Sequence, residues 1–193
     1  MPLHNTGMML HIDSPAWLGA KLQSTPPLAS DAAKMHFVID LARENVLQRT
    51  GGPFGAAIFS RADGRVVTAA VNSVQRLNNS VLHAETLALM LAEAHYKTYS
   101  LHATGAPELE LVTSCEPCAM CLGAIFWSGI KRVLCGAYKV DAAALGFDEG
   151  PVFAESYAYL EERGVAFTRG VCAAEAREVL RLYRENHGLI YNG

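Results

Sequence analysis

The sequence has no long apolar run, and this absence narrows the classes of protein to which it can belong. Nowhere does the chain approach the roughly 18 consecutive apolar residues that a membrane-spanning helix needs. Residues 1–30 also lack the cationic start and unbroken apolar core of a secretory signal. We therefore expect no membrane partner and a cytoplasmic location.

Basic residues are also too few and too scattered for a nucleic-acid-binding surface. The chain has 16 Lys and Arg residues against 19 Asp and Glu residues, which gives a net charge of −3 at pH 7. No segment gathers the basic side chains into a stripe, as a surface that binds phosphates would require. The charge pattern argues against nucleic acid as a partner and favours a small-molecule substrate.

The cysteines are too few and too unevenly placed for a disulfide framework. There are five, an odd number, and three of them lie within seven positions. The other two, Cys135 and Cys172, lie in apolar, strand-like contexts. This pattern favours a reducing compartment, and the clustered thiols point to metal binding.

The overall amino-acid composition is typical of one compact catalytic domain. Of 193 residues, 51% are hydrophobic and 18% are charged, which is enough for one sizeable core. Residues 1–30 contain four prolines and no apolar period, so we predict an extended arm or a loose tail there. Residues 31–193 are predicted to form the domain.

Periodicity and turn signals predict the order αββαβαβαβα from Asp31 onward. A helical apolar pattern begins near Asp31, and an Asp63-Gly64 turn separates two short apolar runs in the manner of a β-hairpin. The later strands are each joined by a single predicted helix. This order indicates the α/β class, as a three-layer αβα sandwich with a central mixed sheet of about five strands.

The motif that stands out is a pair of cysteines, Cys118 and Cys121, at the predicted start of a helix. Pro117 is expected at the first helical position, which places both thiols in the first turn, near the positive end of the helix dipole. With His83 from another segment, they supply three zinc ligands. No second C-x-x-C pair follows to close the site, so the fourth zinc position stays open, which is the pattern of a catalytic centre.

Glu85 lies two residues after His83, and the two side chains can serve one site only at the very start of a helix. In mid-helix they would point about 200° apart. If His83 caps the helix, Glu85 reaches past it toward the open zinc position. Glu85 is then predicted to be a proton shuttle and not a ligand.

An H-x-E motif followed by P-C-x-x-C is the signature of zinc nucleobase deaminases. The chain resembles the cytidine deaminase superfamily, and within it the bacterial guanine deaminases. The segments that carry this resemblance are 51–55 (GGPFG), 83–85 (HAE), 113–127 (TSCEPCAMCLGAIFW) and 146–148 (GFD). The resemblance covers roughly residue 31 to the C-terminus and implies a cytidine-deaminase-like fold.

The resemblance implies zinc-dependent hydrolytic deamination of guanine to xanthine and ammonia. A metal-activated hydroxide would attack the carbon that bears the 2-amino group, while Glu85 shuttles protons. By position, Asn72 would hydrogen-bond the purine, Phe54 and Trp127 would pack against it, and Ala84 would offer a backbone contact.

Three further residues near the C-terminal half receive roles from the resemblance. Glu149 would hold the amino group or relay its protons as a second catalytic carboxylate, with Asp148 beside it as a binding residue. The family also forms homodimers in which the chain end covers the partner's active site, and this implicates Tyr191.

Other interpretations compete with these assignments. Cys115 and Cys118 form a second C-x-x-C pair that could be redox-active, although such a pair would leave Cys121 and the H-x-E motif without a role. Asn72 could simply end a strand, Phe54 and Trp127 could be core aromatics, and Glu149 could be a solvated turn acid.

Other functions are also compatible with these motifs. The substrate could be another aminated ring, such as ammeline or another aminotriazine, guanosine or cytosine. A tRNA adenosine deaminase would share both zinc motifs, and a zinc-stabilised interaction module would keep the metal without turnover.

Overall fold

The computed structural model describes residues 11–102 and 108–192. The predicted N-terminal arm therefore lies outside the described residues over its first ten positions, as do residues 103–107 and 193 of the predicted domain. The helices are α1 (Ala16–Gln23), α2 (Asp31–Leu47), α3 (Val74–Leu77), α4 (Ala84–Tyr96), α5 (Ala119–Ser128), α6 (Lys139–Ala143), α7 (Ala154–Glu161) and α8 (Ala173–Glu185). The strands are β1 (Gly55–Ser60), β2 (Val66–Val71), β3 (Leu109–Cys115), β4 (Arg132–Ala137) and β5 (Ala166–Thr168).

The five strands form one mixed sheet in the order β2-β1-β3-β4-β5. The first two strands make the predicted antiparallel hairpin, with Gly55 opposite Val71, and β1 also runs antiparallel to β3. The pairs β3 with β4 and β4 with β5 are parallel. The carboxyl ends of β3 and β4 therefore meet at one edge of the sheet.

Apolar side chains cover both faces of the sheet, which gives the predicted three layers. On one face α1, α2, α6 and α8 enclose a core that contains Met35, Leu41 and Leu180. On the other face α4, α5 and α7 enclose a second core around Leu89, Ile125 and Leu160. The α/β fold class, the mixed five-stranded sheet and the helices on both faces are confirmed.

The predicted extended arm contains a helix instead. Helix α1 buries Leu18 almost completely against the first core, and α1 itself packs on β2. Because only this one residue of the short helix is buried, its sequence carries no helical apolar period. Two other short helices, α3 and α6, were also not predicted.

A cluster of four charged side chains lies at the amino end of β3. Glu110 is fully buried and pairs with Lys34 of α2, itself 6% exposed, and with Arg132 of β4. Arg132 also binds Asp31 with a 2.7 Å contact between Nη2 and Oδ2. The cluster links the start of α2 to the sheet through ion pairs.

Within the described residues, no helix is both long enough and apolar enough to cross a bilayer.

Candidate active site

Two helix N-termini converge beyond the carboxyl end of β3. His83 is the N-cap residue of α4, in an extended conformation, as the H-x-E spacing predicted. Cys118 is the N-cap residue of α5, also extended, and Cys121 is the third residue of that helix. The prediction that Pro117 begins this helix is wrong by two positions. The thiols still meet, because N-cap and N3 side chains face one another, as they do in a capping box.

The three predicted ligands lie at the spacing that zinc requires. The Nδ1 atom of His83 is 3.5 Å from the Sγ of Cys118 and 3.7 Å from the Sγ of Cys121. Tetrahedral zinc, with Zn–S of about 2.3 Å and Zn–N of about 2.0 Å, places a nitrogen and a sulfur ligand about 3.5 Å apart. All three donor atoms fall within 4.8 Å of one another, and the described part of the chain contains no other such group. The donor set fits zinc.

A hydrogen bond between the two cysteines favours the thiolate form of Cys118, which is the form that binds a metal ion. A hydrogen bond from the Cys121 thiol lowers the pKa of Cys118 to about 4, and the interaction with His83 adds to this effect. The same hydrogen bond, together with burial, raises the pKa of Cys121. The lowered pKa favours the thiolate form of Cys118 at the helix N-terminus, where the helix dipole also favours negative charge.

Two carboxyl groups lie beside the three donors. Glu85 is 6% exposed, and burial followed by the Cys118 thiolate raises its pKa. Burial, Cys118 and Glu85 raise the pKa of Glu149 to about 8. Burial therefore favours the protonated form of both carboxyl groups, a perturbation that is common among side chains that transfer protons.

A cavity of about 180 Å³ opens directly above the donors. It is smaller than the sites of about 300–1,000 Å³ that hold drug-sized molecules, so it suits a single small ring system. Besides the metal-site residues His83, Cys118 and Glu85, its lining comprises Phe54, Asn72, Val74, Ser80, Glu116, Phe147, Asp148, Glu149, Tyr191 and Asn192.

Asn72 offers the cavity a hydrogen-bond donor. It follows β2 and is 1% exposed, and its Oδ1 accepts a 3.3 Å hydrogen bond from the Val74 N–H. Its buried Nδ2 has no hydrogen-bond partner among the described residues. Because the Val74 contact fixes which way the amide points, the group left free at the cavity is the donor, which calls for a ligand acceptor.

Three aromatic rings form the apolar wall. Phe147 contacts both Phe54 and Tyr191 edge-on, with ring centroids 5.1 Å and 5.2 Å apart. Phe54 and Tyr191 were predicted at the site, and both line the cavity. Phe147 also lines the cavity, which its sequence context does not indicate.

The C-terminal tail packs over the cavity of its own chain. The carbonyl of Leu189 accepts hydrogen bonds from Tyr183 (2.6 Å) and Gln75 (3.1 Å). Further along, Asn192 accepts from the Asp148 N–H and donates to the Gly146 carbonyl, both at 2.9 Å. These contacts hold Tyr191 at the cavity of its own chain. The swapped arrangement that the resemblance implies stays a prediction.

Asp148 and Glu149 have different surroundings. The Asp148 carboxylate accepts a 2.9 Å hydrogen bond from the Gly150 N–H and so shapes the loop, while its side chain is exposed. Glu149 is half-buried at the cavity. Both acids line the cavity, and Glu149 is the more buried of the two.

Two predicted contact residues are not brought to the cavity. Trp127 lies near the end of α5, is 78% exposed, and packs on Phe126 with ring centroids 5.0 Å apart. Its predicted contact with a ligand is therefore not made within one chain, because this position of the helix faces outward. Ala84 is fully buried in the first turn of α4, and its predicted backbone contact stays a prediction.

Comparison with known proteins agrees with this geometry. Residues 28–137 match the family model of the cytidine and deoxycytidylate deaminase zinc-binding region. The chain is 40% identical to guanine deaminase of Bacillus subtilis over 129 residues, which cover 67% of this chain and 78% of that protein.

Two solved structures share the fold over nearly the whole chain. Guanine deaminase from Nitrosomonas europaea has a TM-score of 0.87 and 42% identity, covering 92% of this chain and 97% of that one. A mutant protein crystallised with 8-azaguanine has a TM-score of 0.88 and 41% identity, covering 93% and 97%. With its His-Cys-Cys donor set and its five-stranded mixed sheet, the chain belongs to the zinc-binding cytidine and deoxycytidylate deaminase family.

Proposed function

We propose that this protein is a zinc-dependent guanine deaminase, which converts guanine and water to xanthine and ammonia. The observation that carries the proposal is the cluster of His83, Cys118 and Cys121, which offers zinc three donors, with the buried Glu85 beside it in the lining of the cavity. The guanine deaminases among its relatives support the choice of substrate.

Glu85 performs the proton transfers in this proposal. When bound, zinc supplies Lewis-acid activation of water for attack at neutral pH. The Glu85 carboxylate takes the proton released in that attack and passes it to the ring nitrogen next to the reacting carbon. A second transfer through Glu85 protonates the amine, which leaves as ammonia.

The remaining cavity residues suit the edges of guanine. The free Nδ2 donor of Asn72 matches the acceptors O6 and N7, which guanine presents on one edge. Glu149 accepts from the amino group and relays its protons, while Phe54 and Phe147 pack against the ring. The base edge of adenine presents an amino donor in place of O6 and would oppose the Asn72 donor there.

We also propose a cytoplasmic homodimer that degrades purines. The free thiols of Cys115, Cys118, Cys121, Cys135 and Cys172 suit a reducing compartment. Light scattering during size-exclusion chromatography tests the dimer, which should elute at about twice the 20.8 kDa chain mass. A single 20.8 kDa species at micromolar concentration would contradict it.

The experiment that tests the substrate is a panel assay on zinc-loaded protein. Ammonia release is followed with guanine, guanosine, cytosine, ammeline and an adenosine-containing tRNA at equal concentrations. We expect guanine to give the highest kcat/KM, and the small cavity to exclude guanosine and tRNA. Turnover of guanine no faster than in buffer, with zinc present, would overturn the proposal.

A further inference from the structure

A buried asparagine on α2 ties together two segments that form the cavity wall. Asn45 is 0% exposed, and its Nδ2 donates to the Gly52 carbonyl (2.8 Å) and to the Asn72 carbonyl (2.9 Å). Its Oδ1 accepts a 2.6 Å hydrogen bond from the Thr50 hydroxyl. Both protons of the amide and its oxygen are therefore in use, which fixes the orientation of the group.

The two carbonyls belong to the segments that carry the contacts proposed for the purine. Asn72 supplies the free amide donor, and the Gly52 carbonyl also accepts a 2.9 Å hydrogen bond from the Phe54 N–H. Asn72 in turn donates its N–H to the Phe54 carbonyl at 2.9 Å. Asn45 thus closes a hydrogen-bonded ring around the start of β1 and the end of β2.

The space around this ring is too tight for another side chain to take over. A Cβ atom at Gly51 would lie 2.0 Å from the Asn72 carbonyl oxygen, and one at Gly52 would lie 2.1 Å from the Tyr191 hydroxyl. Both positions therefore require glycine, and the side-chain donor between the Gly52 and Asn72 carbonyls comes from another element. Asn45 is that donor.

The chain of hydrogen bonds continues outward to the N-terminal helix. The Thr50 hydroxyl accepts a 3.2 Å hydrogen bond from the Nε1 of Trp17, which lies in α1. Helix α1 precedes the family-matched residues 28–137. A side chain outside that region is thus linked through Thr50 and Asn45 to the residue that offers the cavity its donor.

We infer that Asn45 is a positioning residue for purine binding, held in turn by Thr50 and Trp17, so that the N-terminal helix contributes to substrate affinity. The inference rests on the proposed function, since it requires a purine acceptor against Asn72. Loss of these links lets the Asn72 amide shift, which weakens a contact that is distant from the reacting bond. Such a loss raises KM more than it lowers kcat.

The kinetic test uses a graded series of variants of the full, zinc-loaded protein. For guanine we expect KM to rise about tenfold in Asn45→Ala, about threefold in Thr50→Val and about twofold in Trp17→Phe, as single polar contacts of ordinary strength are removed. Thr50→Ser keeps the hydroxyl and should retain the wild-type KM. Val179→Ala on α8, at a buried site away from the cavity, controls for lost stability.

A double-mutant cycle with Asn72→Ala separates positioning from folding. If Asn45 acts through Asn72, the effect of Asn45→Ala on KM should shrink to about twofold or less in the Asn72→Ala background, whereas its effect on Tm should persist. An equal effect on KM in both backgrounds, or a KM change in Val179→Ala as large as in Asn45→Ala, would overturn the inference.

A readout without substrate keeps this test apart from the test of guanine deamination. The side-chain amide resonance of Asn72, assigned by its absence in Asn72→Ala, should move in Asn45→Ala and Thr50→Val but not in Thr50→Ser. A resonance that stays in place in all of them would overturn the inference even if guanine is the substrate. If guanine is not turned over but the resonance moves, the proposed function fails and the positioning role of Asn45 stands.

Discussion

Two buried glutamates, near opposite ends of β3, show how the same side chain serves different purposes. Glu110 is fully buried and is bound by Lys34 and Arg132. Glu85 is almost as buried, but no Lys or Arg pairs with it in the described part of the chain, and the side chains beside it are the metal-donor residues Cys118 and His83. Lys34 and Arg132 therefore offset the cost of burying the Glu110 charge, whereas no such cation offsets the cost at Glu85 in the described part of the chain.

The pairing of a buried carboxyl group distinguishes a structural acid from a functional one. A buried carboxylate that is paired with cations is an element of the fold, and removing one partner leaves an uncompensated charge. An unpaired one keeps a raised pKa and stays ready to take up and release a proton. A zinc ion at the adjacent donors would stabilise its charged form and complete the site.

Replacing the unpaired acid should have the largest effect on activity. Glu85→Gln keeps the size of the side chain but removes its proton transfer, so we expect kcat to fall by about 10²–10⁴-fold. Zinc content, measured by elemental analysis, should stay at the wild-type level, because Glu85 is not one of the three donors. Activity that survives this change would show that Glu85 does not transfer protons and is a structural acid, as Glu110 is.

Replacing the paired acid should give the opposite result. Glu110→Gln leaves Lys34 and Arg132 with one neutral partner, and we expect about 3–5 kcal/mol lower free energy of unfolding. The kcat/KM of the folded fraction should not change. Urea unfolding, together with assays at a temperature where the variant is folded, checks both parts, and a selective loss of kcat would contradict the structural role of Glu110.

The same contrast extends to two buried asparagines. The amide of Asn45 is fully paired, whereas the Nδ2 of Asn72 has no partner in the part of the chain that the structure describes. Asn72→Ala should lower kcat/KM for guanine by about 10–100-fold, the cost of one or two lost hydrogen bonds to a substrate. Steady-state kinetics measure this, and an unchanged kcat/KM would mean that the free amide faces no ligand.

Trp127 should give the smallest effect. Because it is 78% exposed and lies away from the cavity, Trp127→Ala should change kcat/KM by less than about twofold. A loss of more than tenfold would show that a second copy brings its Trp127 to the site, as the sequence-based assignment would then require.

The sequence predicts the zinc site well because the chemistry and the spacing are local. His83 and Glu85 can share a site only at a helix start, and the structure places His83 at the N-cap. The thiol pair tolerates an error of two positions in the helix boundary, since N-cap and N3 residues also face each other. Hairpin and helix periodicity likewise predict the sheet and its two outer layers.

Features that depend on tertiary contacts are not predicted. Nothing in the local sequence shows that Phe147 faces the cavity, that Trp127 faces outward, or that Asn45 bridges two loops 7 and 27 residues away. Helix α1 is missed because one buried leucine gives no period. The path of the tail over its own cavity is set by contacts of Leu189 and Asn192 with distant segments.

The most direct test of the account is the rate of xanthine and ammonia formation from guanine by protein that holds one zinc ion per chain. We expect saturable turnover, with xanthine and ammonia formed in equal amounts and a kcat in the usual enzyme range of about 1–10³ s⁻¹. Zinc-loaded protein that produces xanthine no faster than buffer would contradict it.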